Sequence, residues 1–105
     1  SENEKCLMET VGDLSNITYK QAVSYAKENY KIAAYDTALE WCDFAIQKET
    51  KKASAYLVKA KVLYRQEYYD ESKTIVNWAL NYIECSENVK QQFLDLSEKI
   101  DKKGQ

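Results

Sequence analysis

The chain has no histidine, no proline and only two glycines, Gly12 and Gly104, among its 105 residues. Without histidine it lacks both the commonest general base near neutral pH and the commonest metal ligand. Two isolated glycines exclude a glycine-rich phosphate loop, and neither a nucleophile motif nor calcium-loop spacing is present. Catalysis is therefore not expected, and no cofactor or metal site is identified. The three cysteines, Cys6, Cys42 and Cys85, are odd in number and far apart, unlike a zinc or redox pair. That usage suits a reducing compartment, cytoplasmic or nuclear. No apolar run approaches the length of a membrane span, and no secretory signal pattern is seen. Ser1 in place of Met is expected of a processed end or of a piece of something longer. Between residues 13 and 103 no residue intrinsically breaks a helix, which predicts an all-α chain.

With 45% hydrophobic and 30% charged residues and a net charge of −2, the chain has the make-up of an ordinary globular domain. Its most informative feature is internal. Shifted against itself so that Ala26 falls on Ala60, the chain also aligns Tyr30 with Tyr64, Tyr35-Asp36 with Tyr69-Asp70, and Ala45 with Ala79. Small residues recur at Ala38 and Ser72 in the same register. A fixed period of about 34 residues marks stacked helical repeats. The small residues fall where helix axes must approach to about 8–10 Å, and the tyrosines fill the space beside those crossings.

The periodicity predicts helices at about 18–31, 35–49, 53–66, 69–84 and 87–102. Asn16 or Thr18 caps the first and Ser86 the last. Residues 1–17 are acidic, with Leu7, Met8, Val11 and Leu14 at helical spacing, and read as an N-terminal helix or lead-in covering the first repeat. The repeats are 18–52 and 53–86. Residues 87–105 form a capping helix and tail, with Val89, Phe93, Leu96 and Ile100 on one stripe. Asp70-Glu71 has the form of a polar first helical turn, stabilised by the macrodipole, rather than of a catalytic pair. Trp78 is expected to be partly exposed on the outer side, as a second contact surface or a self-association patch.

On these residues the chain resembles the tetratricopeptide repeat family. The match is strongest over Ala55-Tyr56, Ala60, the run Tyr64 to Ser72, and Trp78-Ala79-Leu80, and looser over 19–52. Alanine stands where the family prefers glycine in the first helix, Glu67 replaces the usual turn glycine, and Lys59 takes a leucine-like position. The resemblance implies antiparallel helical hairpins in a short right-handed solenoid. It also implies a non-enzymatic adaptor, scaffold or co-chaperone-like module that grips an extended peptide in a concave groove. Carried onto this chain, the groove is lined by Lys20, Val23, Lys27, Tyr30 and Lys31, then by Ser54, Leu57, Val58, Lys61, Tyr64 and Arg65. Chaperone-linked members clamp a Glu-Glu-Val-Asp tail with lysines, asparagines and an arginine. Here Val23, Lys27, Val58 and Ser54 stand at clamp positions that want lysine, asparagine, arginine and lysine, so that clamp is not expected.

Charge counting is an independent guide. Residues 18–33 carry Lys20, Lys27 and Lys31 against Glu28, and 51–67 carry five cations against Glu67. The partner stretches 35–50 and 68–84 are net acidic. Concentrated positive charge on the groove elements predicts an acidic guest with an apolar anchor set between Tyr30, Leu57, Val58 and Tyr64. Homotypic self-association is the alternative expectation, and single-stranded RNA binding to the same basic face a further one, opposed by the net negative charge.

Overall fold

A computed structural model describes residues 14–104 of the chain. A short 3-10 turn, Leu14–Asn16, leads into five α-helices: α1 Tyr19–Lys31, α2 Tyr35–Lys48, α3 Ala53–Arg65, α4 Tyr69–Tyr82 and α5 Glu87–Lys103. There is no strand among the described residues. The acidic lead-in expected over 1–17 lies outside them, apart from that turn and the stretch joining it to α1. Against the sequence pattern, α1 starts slightly later, α2, α3 and α4 end slightly sooner, and α5 runs slightly longer.

Local chemistry explains where the helices start. The Thr18 hydroxyl accepts from Gln21 N (3.0 Å) while Thr18 N donates to Gln21 Oε1 (2.9 Å), a reciprocal capping box. Of the two candidates for that cap, Thr18 holds the position. Ser86 caps α5 by accepting from Val89 N (3.2 Å). The N-cap of α3, Lys52, offers no side-chain acceptor. Instead the Tyr19 hydroxyl at the start of α1 accepts from Ala55 N (3.0 Å) and donates to Lys52 O (3.4 Å). One hairpin thus satisfies an otherwise orphaned donor at the entrance of the next.

The helices stop by the same device twice. Ala33 (φ 61°) and Glu67 (φ 68°) both sit in the left-handed region, at equivalent positions of the two hairpins. Around the first, Ala34 N donates to Asn29 O and Ala33 N to Tyr30 O; around the second, Tyr68 N donates to Leu63 O and Glu67 N to Tyr64 O. Each is a Schellman closure, normally built on glycine. The same offset that carries Ala33 onto Glu67 carries the bounds of α1 and α2 onto those of α3 and α4.

Consecutive helices pack on one another, and α3 lies at the centre, in contact with all the others. Its Ala55, Val58 and Val62 enter a core built with Ala22, Ala26, Trp41 and Cys42 of the first hairpin. Its Leu57 and Ala60 enter a second core with Val76, Ala79, Phe93 and Ile100. The alanines at the crossings, Ala26, Ala38, Ala45, Ala60 and Ala79, are completely buried. Ser72, where the first hairpin has Ala38, is also fully buried and donates to Ala60 O at 2.7 Å, so that α3 and α4 are bonded as well as packed. Trp41 is fully buried against Tyr25 (4.8 Å between centroids) and the edge of Phe44 (5.6 Å). Among the described residues no helix is long and apolar enough to cross a membrane.

Candidate functional site

Because α1 packs on α3 and α3 on α5, these three helices present one face and α2 and α4 another. Three adjoining hollows run along the α1/α3/α5 face. The first, at the start of α1, is lined by Lys20, Val23, Lys27 and Ser54 together with Lys52 and Tyr19. Lys27 and Ser54 also line the second, which continues through Tyr30, Lys31, Leu57, Val58 and Lys61. Tyr30 and Lys61 pass into the third, completed by Tyr64, Arg65 and residues of α5. The hollows measure about 470, 380 and 340 Å3.

All eleven residues singled out from the sequence border this chain of hollows, in different ways. Val23, Leu57 and Val58 are buried at 6%, 6% and 3% exposure and form the floor. Lys20, Lys27, Lys31 and Arg65 are exposed on the walls, with Tyr30, Tyr64 and Lys61 half-buried between them. The guanidinium of Arg65 lies 5.6 Å over the Tyr30 ring, joining the two hairpins across the groove by a cation–π contact. Hydrogen bonding to Tyr30 and the negative potential of Tyr35 hold the Arg65 pKa above its ordinary value.

The sequence reading missed the third wall. It treated α5 only as a cap, whereas Asn88, Gln92, Asp95 and Lys99 line the second and third hollows. Lys61 Nζ donates to Gln92 Oε1 at 2.8 Å, and Gln92 Nε2 donates to Asn88 Oδ1 at 2.7 Å, locking the amide in one orientation. The signal was present in the spacing of Gln92, Leu96 and Lys99, which places two polar residues beside a buried one on a flank of α5.

Electrostatically the middle of the groove is uncompensated. Burial is the main cause that lowers the Lys61 pKa, and the like charges of Lys27 and Lys99 lower it further. No salt bridge among the described residues engages Lys27, Lys61 or Lys99; the three present are Lys59–Asp43, Lys73–Asp101 and Lys102–Glu98. Asp95 lines the third hollow and accepts from Gln91 Nε2 at 2.9 Å. Three lysines from three helices therefore converge on a half-buried region floored by aliphatic side chains. Such an arrangement is chemically suited to an anion carrying an apolar group. Among the described residues no cluster of three histidine, cysteine or carboxylate side chains stands ready to hold a metal. No family model matches this chain, and neither the curated proteins nor the solved structures contain a match to it.

Proposed function

We propose that the chain is a non-enzymatic, tetratricopeptide-like interaction module whose α1/α3/α5 face holds an acidic peptide or partner helix with an apolar anchor. It would serve as an adaptor or scaffold. The observation that carries this reading is the convergence of Lys27, Lys61 and Lys99 where no carboxylate of the described chain pairs with them. A half-buried lysine beside two like charges weakens the fold, and an anionic guest removes that penalty on binding. The internal period, repeated in helix bounds and in both turn closures, supports the repeat assignment.

Fluorescence anisotropy with short acidic peptides bearing one central leucine or phenylalanine tests the reading. Affinity near micromolar, about −8 kcal/mol, is expected for so small a groove, falling as salt is raised. Lys61→Glu with Arg65→Glu should abolish binding with little effect on helicity. Lys61→Met is sharper, because it should weaken binding while keeping or raising the melting temperature. Displacement of the bound acidic peptide by basic peptides of the same pattern, or unaltered affinity in both variants, removes the groove from consideration. Tighter retention of single-stranded RNA than of acidic peptide would replace the guest.

A further inference from the structure

The α2/α4 face carries a different feature. Trp78 is 41% exposed and Tyr82 73% exposed, one turn apart on α4. Their rings lie 5.9 Å apart, and Tyr56 of α3 lies 5.0 Å from Trp78 on its other side. Tyr56 is fixed by donating to Thr50 O at 2.7 Å. With Ile46 and Ile75, the Tyr56 and Trp78 rings line an apolar hollow of about 360 Å3 between α2 and α4, bordered by the Lys59–Asp43 bridge, and Tyr82 extends the exposed aromatic surface beyond it. At about 3.6 residues per turn, Tyr56 and Lys59 lie on the opposite side of α3 from Val58, Lys61 and Arg65. This hollow is thus separate from the basic groove.

Charge decides what fits it. Glu71 lies on the same stripe of α4 as Ile75 and Trp78, and Glu40 on the same stripe of α2 as Asp43, by i, i+3/i+4 spacing. Both glutamates are exposed. The cations of these helices are drawn elsewhere: Lys48 lies over the Phe44 ring at 5.6 Å, and Lys73 binds Ser97 and Asp101 of α5 at 2.6 and 2.7 Å. A second copy docked face to face would oppose these carboxylates to their own duplicates, and an acidic segment would be repelled outright. We propose that the hollow between α2 and α4 is a second docking site, which takes a basic amphipathic segment with a bulky apolar anchor seated against Trp78 and Tyr56. A tryptophan and a tyrosine at the mouth of an apolar hollow are the side chains that most often dominate binding energy.

The chain labelled with 5-fluorotryptophan tests this by 19F NMR, since Trp41 is fully buried and Trp78 is exposed. A leucine/lysine amphipathic helical peptide should shift the Trp78 resonance and leave that of Trp41 unmoved. The same pattern written with glutamate should shift neither. Trp78→Ser should abolish binding. Glu40→Lys with Glu71→Lys, both at exposed positions, should weaken the lysine peptide at least tenfold and admit the glutamate peptide. Prior saturation of the basic groove with acidic peptide should leave this binding unchanged, so a failure here is distinct from a failure of the groove. The proposal is overturned if the glutamate peptide shifts Trp78 equally, or if the charge exchange leaves affinity unaltered. It is also overturned if the lysine peptide perturbs only the α1/α3/α5 face. A Trp78 shift that grows with protein concentration alone, together with a rising mass, would assign the hollow to a second copy instead.

Discussion

Replacing Ala33 and Glu67 by glycine should stabilise this protein, a counterintuitive outcome for two substitutions to one of the residues least favourable in helices. Both positions hold positive φ, 61° and 68°, where an L side chain costs roughly 1–2 kcal/mol. Glycine removes that cost but returns about 0.5–1 kcal/mol through the greater freedom of the unfolded chain. The net gain is therefore ~0.5–1 kcal/mol at each site. The two closures share no hydrogen bond and belong to different hairpins, so their effects should add to ~1–2 kcal/mol. For a domain of this size each kcal/mol raises Tm by about 4–8 °C. Thermal and urea unfolding followed by circular dichroism would read the gain, with the m-value unchanged. Ala33→Val provides the opposite control, since a β-branched residue tolerates this region worst. If the double glycine variant melts at or below the temperature of the parent, the left-handed closures are not what ends α1 and α3, and the shared turn geometry of the hairpins is wrong.

Other expectations follow from single contacts. Tyr19→Phe deletes the hydroxyl that accepts from Ala55 N and should lower the urea midpoint by an amount equivalent to about 1 kcal/mol. Ala60→Leu places a branched side chain at the fully buried α3–α4 crossing beside the Ser72 bond. It should destabilise by roughly 1–3 kcal/mol by urea titration, whereas Tyr82→Leu at an exposed position should not. Burial pushes the Cys42 thiol up from 9.0 to about 12, so the folded chain keeps it neutral at pH values where the unfolded chain ionises it. Its contribution is complete below pH 9 and lost between about 9 and about 12, by ~1.4 kcal/mol per pH unit. Urea midpoints across that range should fall less steeply in Cys42→Val than in the parent.

Both hairpins were legible because the internal offset is carried by residues under local constraint: alanines at crossings, tyrosines beside them, and Thr18 and Ser86 at caps. What was missed follows from the position of α3. A helix touched by four others has no single apolar stripe, and Lys59 and Lys61 interrupt what stripe there is. In α3, Tyr56 and Tyr64 therefore stay half-buried, whereas Ala55 and Val62 are fully buried. Asn29 was hidden by its polarity. It is completely buried and donates to Tyr25 O, one turn back inside its own helix, at 2.9 Å. The share of α5 in the groove escaped because amphipathicity fixes which side of a helix is buried, not which neighbour each flank meets.

The same geometry converts a linear charge pattern into a spatial one. Helices α1 and α3 carry an excess of cations and α2 and α4 an excess of carboxylates, and, Lys59 of α3 apart, the packing of α1, α3 and α5 separates the two sets onto opposite faces. A chain selected for stability alone gains by mixing signs along each helix, since i, i+4 pairs contribute about 0.2–0.5 kcal/mol each. Here only Lys102–Glu98 is such a bridge among the described residues; Lys59–Asp43 and Lys73–Asp101 join different helices. Segregation forgoes local stabilisation and leaves Lys61 half-buried among like charges, costs that mixed surfaces avoid. Those costs are offset if the faces meet guests of opposite sign. High salt should then weaken both kinds of binding while raising the melting temperature of the free chain, because screening relieves repulsion within each face and attraction across each interface alike. A melting temperature that falls as salt rises would mean that attraction dominates within the free protein, and the case for a guest on either face would lose its energetic basis.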